Sequence, residues 1–422
     1  MRRSLRFFTV CAVILLASCF LENPVKETDS PDEFSYNVWL LSKIYLYSEE
    51  LPEAERASGG DVAVLYDTLS DPYTRYVAPA KSGEAEQQMT TSIIPGGIGV
   101  ELVYSSGAAQ PLYIYRVYPG APAGRAGVPR YGHLLSINGT ELSGDSAYAK
   151  YTSVLQTNSS VTLRVEKGGD TADYALVKET IYAPTVFIDT FYTVPFISIR
   201  EFTLTTADKA EGTLGELRAA LAATSDAPVR VIDIRNNPGG YVNECIASAD
   251  LFVKSGTIIT RFLKYFNADG NSAIKRTDFT ASPGGIAETG KFVLLANGNS
   301  ASCAEIFTAA LKENAGIPFA GDTTFGKGIG QGTWKTSAGG LAVITQMQFR
   351  SPLGNNYHKT GIAPDIACGT ESAITCAARE ALTLAGKTLS KSGTAQNPAV
   401  AADSTIPERK TGGGAFIPSA QE

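Results

Sequence analysis

The rhythm of hydrophobic positions changes four times along this chain. Residues 7–16 form an unbroken apolar run behind Arg2, Arg3 and Arg6. Within 34–58, Phe34, Val38, Leu40, Leu41, Ile44, Tyr45 and Leu46 recur at helical spacing. Across 92–180, short β-type runs at 98–103, 112–117, 133–137 and 161–165 alternate with glycine-rich turns, which predicts a small β-rich domain. From 181 to 387, apolar runs at 196–199, 229–234 and 292–296 alternate with helical patterns near 214–223, 243–252 and 303–314. That alternation predicts an α/β core. Residues 388–422 are rich in Ser, Thr, Ala, Pro and Gly and read as a mobile tail. No internal repeat is evident.

The first apolar run is too short to span a bilayer and reads as a secretory signal over 1–18. Its end, Leu16-Ala17-Ser18-Cys19, resembles the bacterial lipobox. That resemblance implies cleavage before Cys19, lipidation of its thiol, and a bacterial cell-envelope protein anchored in a membrane and facing the periplasm or cell surface. Composition narrows the partners. The 422 residues carry 36 Lys plus Arg against 42 Asp plus Glu, net −6, and loss of the three leading arginines takes this to −9. An acidic chain is unsuited to nucleic acid, which needs clustered Lys and Arg. Only His133 and His358 are histidines, and no C-x-x-C pair exists. Those counts argue against a metal site and leave little material for a Ser-His-Asp triad. Export permits disulfides, and Cys368 and Cys376 are close enough in sequence to pair.

Three segments carry candidate chemistry. In 291–307, KFVLLANGNSASCAEIF, a buried-type strand runs through a small-residue turn into a helix, with Ser302 at the turn. A helix start offers free N–H groups and the positive end of the dipole, which suits a nucleophile whose product is an oxyanion. The same Ser302-Cys303-Ala304-Glu305 also spells a capping box, a purely structural role. In 321–331, GDTTFGKGIGQ, Lys327 lies between two glycines. Burial would lower its pKa and make it a base, whereas a surface turn would leave it idle. A phosphate-binding loop is excluded because Gly328, not Ser or Thr, follows the lysine. In 229–240, VRVIDIRNNPGG, Gly239 and Gly240 end a strand where α/β folds gather ligands.

Together these segments resemble the carboxyl-terminal processing, or tail-specific, proteases, which are serine peptidases with a Ser–Lys dyad. Ser300-Ala301-Ser302-Cys303-Ala304-Glu305-Ile306 is similar to the family's S-A-S-A-S-E-I, and Phe325-Gly326-Lys327-Gly328 matches its F-G-K-G, 25 residues on. Asp233 to Gly240 fits its D-x-R-x-N-x-G-G. Residues 361–365 fit its G-I-x-P-D, and residues 71–76 its D-P-Y-T-x-Y. The resemblance implies Ser302 as nucleophile, Lys327 as base and Gln331 as the residue orienting it. It further implies an oxyanion hole from the Gly239–Gly240 pair, Gly240 preferred, with the amide of Cys303. Gly97-Ile98-Gly99-Val100 looks like the carboxylate-binding loop of a PDZ domain, a module that takes a peptide as an added strand.

The fold implied by this resemblance is an α/β multidomain chain with a crotonase/ClpP-like spiral protease core, an inserted β-rich PDZ domain and a helical N-terminal segment. The divisions are 1–18 signal, 19–90 tether and helical lead, 91–180 PDZ, 181–387 Ser–Lys core and 388–422 tail. The implied activity is endopeptidase cleavage of exported proteins whose apolar C-termini the PDZ domain captures, with no metal or organic cofactor. A peptide-binding adaptor with an inactive core is the alternative. Thioester chemistry on a crotonase-like core and a non-proteolytic retinoid binder are more remote. Two departures from the pattern stand out: Cys303 and Ala304 replace the usual Ala and Ser, and His133 replaces an Asp.

Overall fold

The computed structural model describes residues 32–51, 60–105 and 107–389. The signal, the lipobox with Cys19 and most of the tail lie outside the described residues.

A six-stranded sheet organises the core. Its spatial order is Val186–Phe191, Val194–Ile199, Arg230–Asp233, Phe292–Ala296, Phe319–Gly321 and Ile366–Ala367. The first pair is an antiparallel hairpin and every later neighbour is parallel. Parallel strands need crossovers, and helices supply them. Helices Gly212–Ala223, Val242–Asp250 and Cys303–Ala309 cover one face, packing Leu217, Leu221, Cys245, Ala249, Ile306 and Phe307 against Ile197, Ile232 and Leu294. Helix Ala373–Leu384 covers the other, against Phe196, Val231, Val293 and Leu295. Covering on both faces explains why 292–296 is apolar at every position.

A second sheet carries Arg75–Val77, Thr257–Phe266, Ser272–Thr280, Ile329–Lys335 and Leu341–Arg350. Helix Glu33–Ile44 packs on it through Leu40, Leu41 and Ile44 against Trp334 and Ile344. Asp32 caps this helix by accepting the Ser35 N–H at 3.0 Å. The apolar spacing predicts a helical region through 58, but regular α-helix ends at Ile44. Just beyond, Leu46 N–H donates to Thr345 O at 2.8 Å, so pairing with the sheet wins over local periodicity.

Between these parts, a two-stranded ribbon, Ile93–Gly97 with Glu179–Tyr182, leads into and out of a small β domain. Its sheet runs Val100–Tyr104, Leu112–Val117, His133–Ile137, Ser160–Lys167 and Asp170–Val177, with Thr140–Glu141 beside the third strand. Helix Ala147–Thr157 closes a separate core around Leu112, Ile114, Leu134, Tyr151 and Leu163.

Candidate active site

The strand Phe292–Ala296 delivers the chain to the turn 297–302. Five hydrogen bonds fasten this turn to the neighbouring strand end, two of them from the Nδ2 groups of Asn297 and Asn299 to Asn236 Oδ1, each at 3.0 Å. Ser300 Oγ donates to Ile234 O at 2.8 Å, and Asn236 N–H donates to Asn297 Oδ1 at 3.0 Å. Ala301 N–H donates to Asn237 O at 2.9 Å. Asn237 is itself buried and anchored, its Nδ2 donating to Ile199 O at 3.0 Å. Ser302 therefore starts its helix from a fixed position, half-exposed, with φ at 57° and ψ at −115°. A non-glycine residue there is strained, and such strain marks a serine held proud on a strand-to-helix elbow.

The loop of Gly239 and Gly240 comes within contact of Ser302. A Cβ on Gly239 would lie 2.8 Å from Ser302 Cβ and 2.9 Å from Cys303 N; one on Gly240 would lie 2.1 Å from Phe202 O. Both have positive φ, 109° and 140°, so glycine is required twice over. The two amides differ. Gly239 N–H is taken by Asn237 Oδ1 at 2.8 Å, which leaves it unavailable to an oxyanion in this arrangement. Among the described residues, the amides of Gly240 and Cys303 donate to no protein acceptor. Gly239 thus contributes close approach, and Gly240 the open donor.

Lys327 reaches the same place from the second sheet, just before the strand Ile329–Lys335. What joins the two is Glu305, fully buried on the first turn of the Ser302 helix. Its Oε2 accepts Ser302 N–H at 2.9 Å and Lys327 N–H at 2.6 Å; its Oε1 accepts Gly326 N–H and Thr324 Oγ1, both at 2.7 Å. The backbone nitrogens of Ser302 and Lys327 therefore lie no farther apart than the sum of those two Oε2 distances. Burial raises the pKa of Glu305 against these four donors. The capping role of Glu305 is thus only half of what it does. It serves the helix start and the lysine loop with one carboxylate.

The Lys327 ammonium sits 4.1 Å from the centroid of the Tyr73 ring. Burial lowers its pKa to about 8, Asp71 and Glu305 pulling upward and Arg75 downward. The Asp71 carboxylate accepts Tyr73 N–H at 3.1 Å and Thr74 Oγ1 at 2.6 Å, fixing that turn. A bulge between Gly330 and Gln331 sets the strand register there. Gln331 Nε2 donates to Thr345 Oγ1 at 2.9 Å; among the described residues it makes no hydrogen bond to Lys327. His358 lies beside the lysine loop: Lys359 N–H donates to Gly326 O at 2.7 Å. His133 lies in the small β domain, edge-on to Tyr113.

Cys303 is joined to Cys245, and Cys368 to Cys376. A disulfide-bonded Cys303 has no thiol, so it cannot be the nucleophile. Sequence reasoning does not reach the 245–303 pairing or the roles of Asn237 and Glu305. Their motif positions are visible, but their partners lie 58, 64 and 22 residues away.

Ile98 points into the small domain's core at 2% exposure, and its carbonyl accepts Ala123 N–H at 2.8 Å. Gly97 ends the ribbon, Gly99 has φ at 81°, and Val100 begins an edge strand.

A serine on a strained elbow, two open amides and a depressed lysine are the parts of an acyl-transfer site, and comparison with known proteins agrees: this chain is a serine-type peptidase. Residues 193–368 match peptidase family S41. Through that domain the chain is similar to the carboxyl-terminal processing proteases of that family. A Staphylococcus aureus (strain COL) protein named "Probable CtpA-like serine protease" is 26% identical over 373 residues, covering 86% of this chain and 70% of that one. A Staphylococcus epidermidis protein of the same name is 26% identical over 309 residues, covering 72% and 58%. A solved structure, "Putative S41 protease from Bacteroides fragilis", superposes with TM-score 0.58 at 15% identity, covering 91% of this chain and 99% of that one, a likeness of fold.

Proposed function

We propose that this chain is a Ser–Lys endopeptidase of the bacterial cell envelope, cleaving exported proteins that it selects by their C-terminal tails. The observation that carries the reading is the single Glu305 carboxylate that holds both Ser302 N–H and Lys327 N–H, beside a lysine whose pKa is drawn to about 8. At that pKa about a tenth of Lys327 is neutral at pH 7, roughly 300-fold more than at an ordinary lysine pKa. Neutral Lys327 takes the Ser302 Oγ proton as the oxygen attacks the scissile carbonyl. The amides of Gly240 and Cys303 receive the oxyanion. The ammonium then returns its proton to the leaving amine, and water, activated in the same way, releases the acyl group from Ser302. Gln331, bonded to Thr345 here, would steady the lysine side chain once its amide oxygen turns toward the ammonium.

The small β domain is read as a PDZ module. Support comes from the Gly97–Val100 turn leading into the edge strand Val100–Tyr104, which has one side unpaired within its sheet and can take a peptide as an added strand. Residues 19–90, 91–180 and 181–387 serve as lead, tail-binding module and catalytic core. Cys19 provides the lipid anchor, on the periplasmic or outer surface, after removal of 1–18.

Digestion of an unfolded protein such as casein tests the catalytic reading. Wild type is expected to cleave, and Ser302→Ala and Lys327→Ala to lose at least about 10⁴-fold in rate. If all three proteins degrade casein equally slowly, the chain is a peptide-binding adaptor instead.

A further inference from the structure

We propose that the Cys245–Cys303 disulfide is a positioning element of the oxyanion hole, so that turnover, and not stability alone, requires the bond. The inference rests on the Ser–Lys reading of the site. Cys303 is the first residue of the Ser302 helix, and its amide is one of the two open donors. Cys245 lies one turn into the helix Val242–Asp250, directly after the loop that carries the other donor, Gly240. Cys245 N–H donates to Tyr241 O at 3.2 Å, and Tyr241 N–H donates to Phe202 O at 2.7 Å, so the turn between Gly240 and Cys245 has no slack. A single covalent bond thus links the two walls of the hole across 58 residues of sequence.

Among the described residues, the remaining ties between these walls are the contact of Gly239 with Ser302 and the hydrogen bonds of the turn 297–301 to Ile234, Asn236 and Asn237. All lie on the Ser302 side of the hole. Without the disulfide, the helix Val242–Asp250 is held to the Ser302 helix by packing alone. Both cysteines are fully buried within one apolar cluster, among Ile306, Phe307 and Ala249. A displacement of the Cys303 amide by a fraction of an ångström matters, because a donor must meet the oxyanion rather than the ground-state carbonyl.

The second disulfide provides an internal control. Cys368–Cys376 spans eight residues and ties the end of the strand Ile366–Ala367 to the helix Ala373–Leu384, on the opposite face of the sheet from the Ser302 helix.

The test compares the full chain with Cys245→Ala, Cys245→Ala/Cys303→Ala, Cys245→Val/Cys303→Ala and Cys368→Ala/Cys376→Ala. Circular dichroism and thermal melts establish folding. Assays with a chromogenic peptide ester give kcat and KM, and a peptide boronate measures affinity for a tetrahedral adduct. Expected for the Cys245 variants is a kcat loss of about 10- to 100-fold, with KM within about twofold and boronate affinity falling in parallel. The Cys368 pair is expected to lower the melting temperature and keep its kcat. Folded Cys245 variants with wild-type kcat overturn the proposal. So does failure of all three to fold, since the bond would then act on stability alone. Ser302→Ala, run alongside, separates the two ideas: activity that survives it sinks the Ser–Lys reading itself.

Discussion

The nucleophile and the base of this site are held by opposite means. Ser302 stands on a strand-turn-helix elbow fastened by Ser300, Asn236 and Asn237, with its helix linked covalently to the next. Its placement is geometric, and the cost is a strained backbone at φ 57°. Lys327 sits in a glycine-rich loop at the edge of another sheet, partly open to solvent, its ammonium against the Tyr73 ring. Its readiness is electrostatic: burial lowers its pKa while Asp71 and Glu305 oppose the fall. The contrast suits the chemistry. A nucleophile must be aimed within tenths of an ångström, whereas a base needs a pKa close to the working pH.

Glu305 is where the two means meet, and breaking it gives the largest expected effect. Glu305→Gln keeps the size of the side chain but turns an amide N–H toward donors that need an acceptor. An orphaned buried donor costs about 1–3 kcal/mol, and in either amide orientation a donor loses its partner: the Ser302 and Lys327 amides in one, the Gly326 amide in the other. We expect kcat/KM to fall by more than about 10³-fold and the melting temperature to drop by several degrees. Labelling by a fluorophosphonate, which reports the reactive serine, should fall with the activity. Full labelling with lost proteolysis would show that the Ser302–Lys327 pair survives without the Glu305 carboxylate.

The glycine pair sharpens the geometric half of the comparison. A methyl at 239 meets Ser302 Cβ, Ala301 O and Cys303 N at 2.8–2.9 Å, whereas a methyl at 240 meets the carbonyl of Phe202 at 2.1 Å; none of these atoms can rotate away. Gly240→Ala should therefore lose both activity, about 10²–10³-fold, and thermal stability. Gly239→Ala should lose comparable activity, but with a smaller fall in melting temperature, because its obstacles lie at 2.8–2.9 Å and not at 2.1 Å. Melts and kcat for the two variants check this ordering.

Much of the site is legible in the sequence because its chemistry is concentrated in short segments. Ser302, Lys327 and the Gly239–Gly240 pair each sit in a motif whose residue types have few other uses together. The strands 112–117, 133–137 and 292–296 match their apolar runs to the residue, since each is bounded by turn signals. The features that escape sequence reasoning depend on chain segments meeting far from their sequence neighbours. The hairpin of Thr257–Phe266 and Ser272–Thr280 escapes because Arg261, Lys264, Lys275 and Arg276 break its apolar pattern. Ile44 ends its helix only because a strand some 300 residues later offers Leu46 a partner. Cys245 and Cys303 carry no spacing signal at all, and only the packing of two crossover helices brings them together.

The smallest effect tests the electrostatic half alone. Asp71 raises the pKa of Lys327, so its charge favours the protonated, inactive form of the base. In Asp71→Asn the side chain keeps an oxygen for Tyr73 N–H, and its amide can donate to Thr74 Oγ1 in place of accepting from it. The turn should hold. Activity in the wild type should rise with pH through about 8 as Lys327 loses its proton. Removing the negative charge makes the ammonium less favourable, so the ascending limb of kcat/KM should move to lower pH in the variant. The plateau above it should stay within about threefold, since less than about 1 kcal/mol of transition-state stabilisation is at stake. A pH–rate profile over both proteins decides it. A limb that moves to higher pH would mean that a group other than a cationic lysine controls the rate.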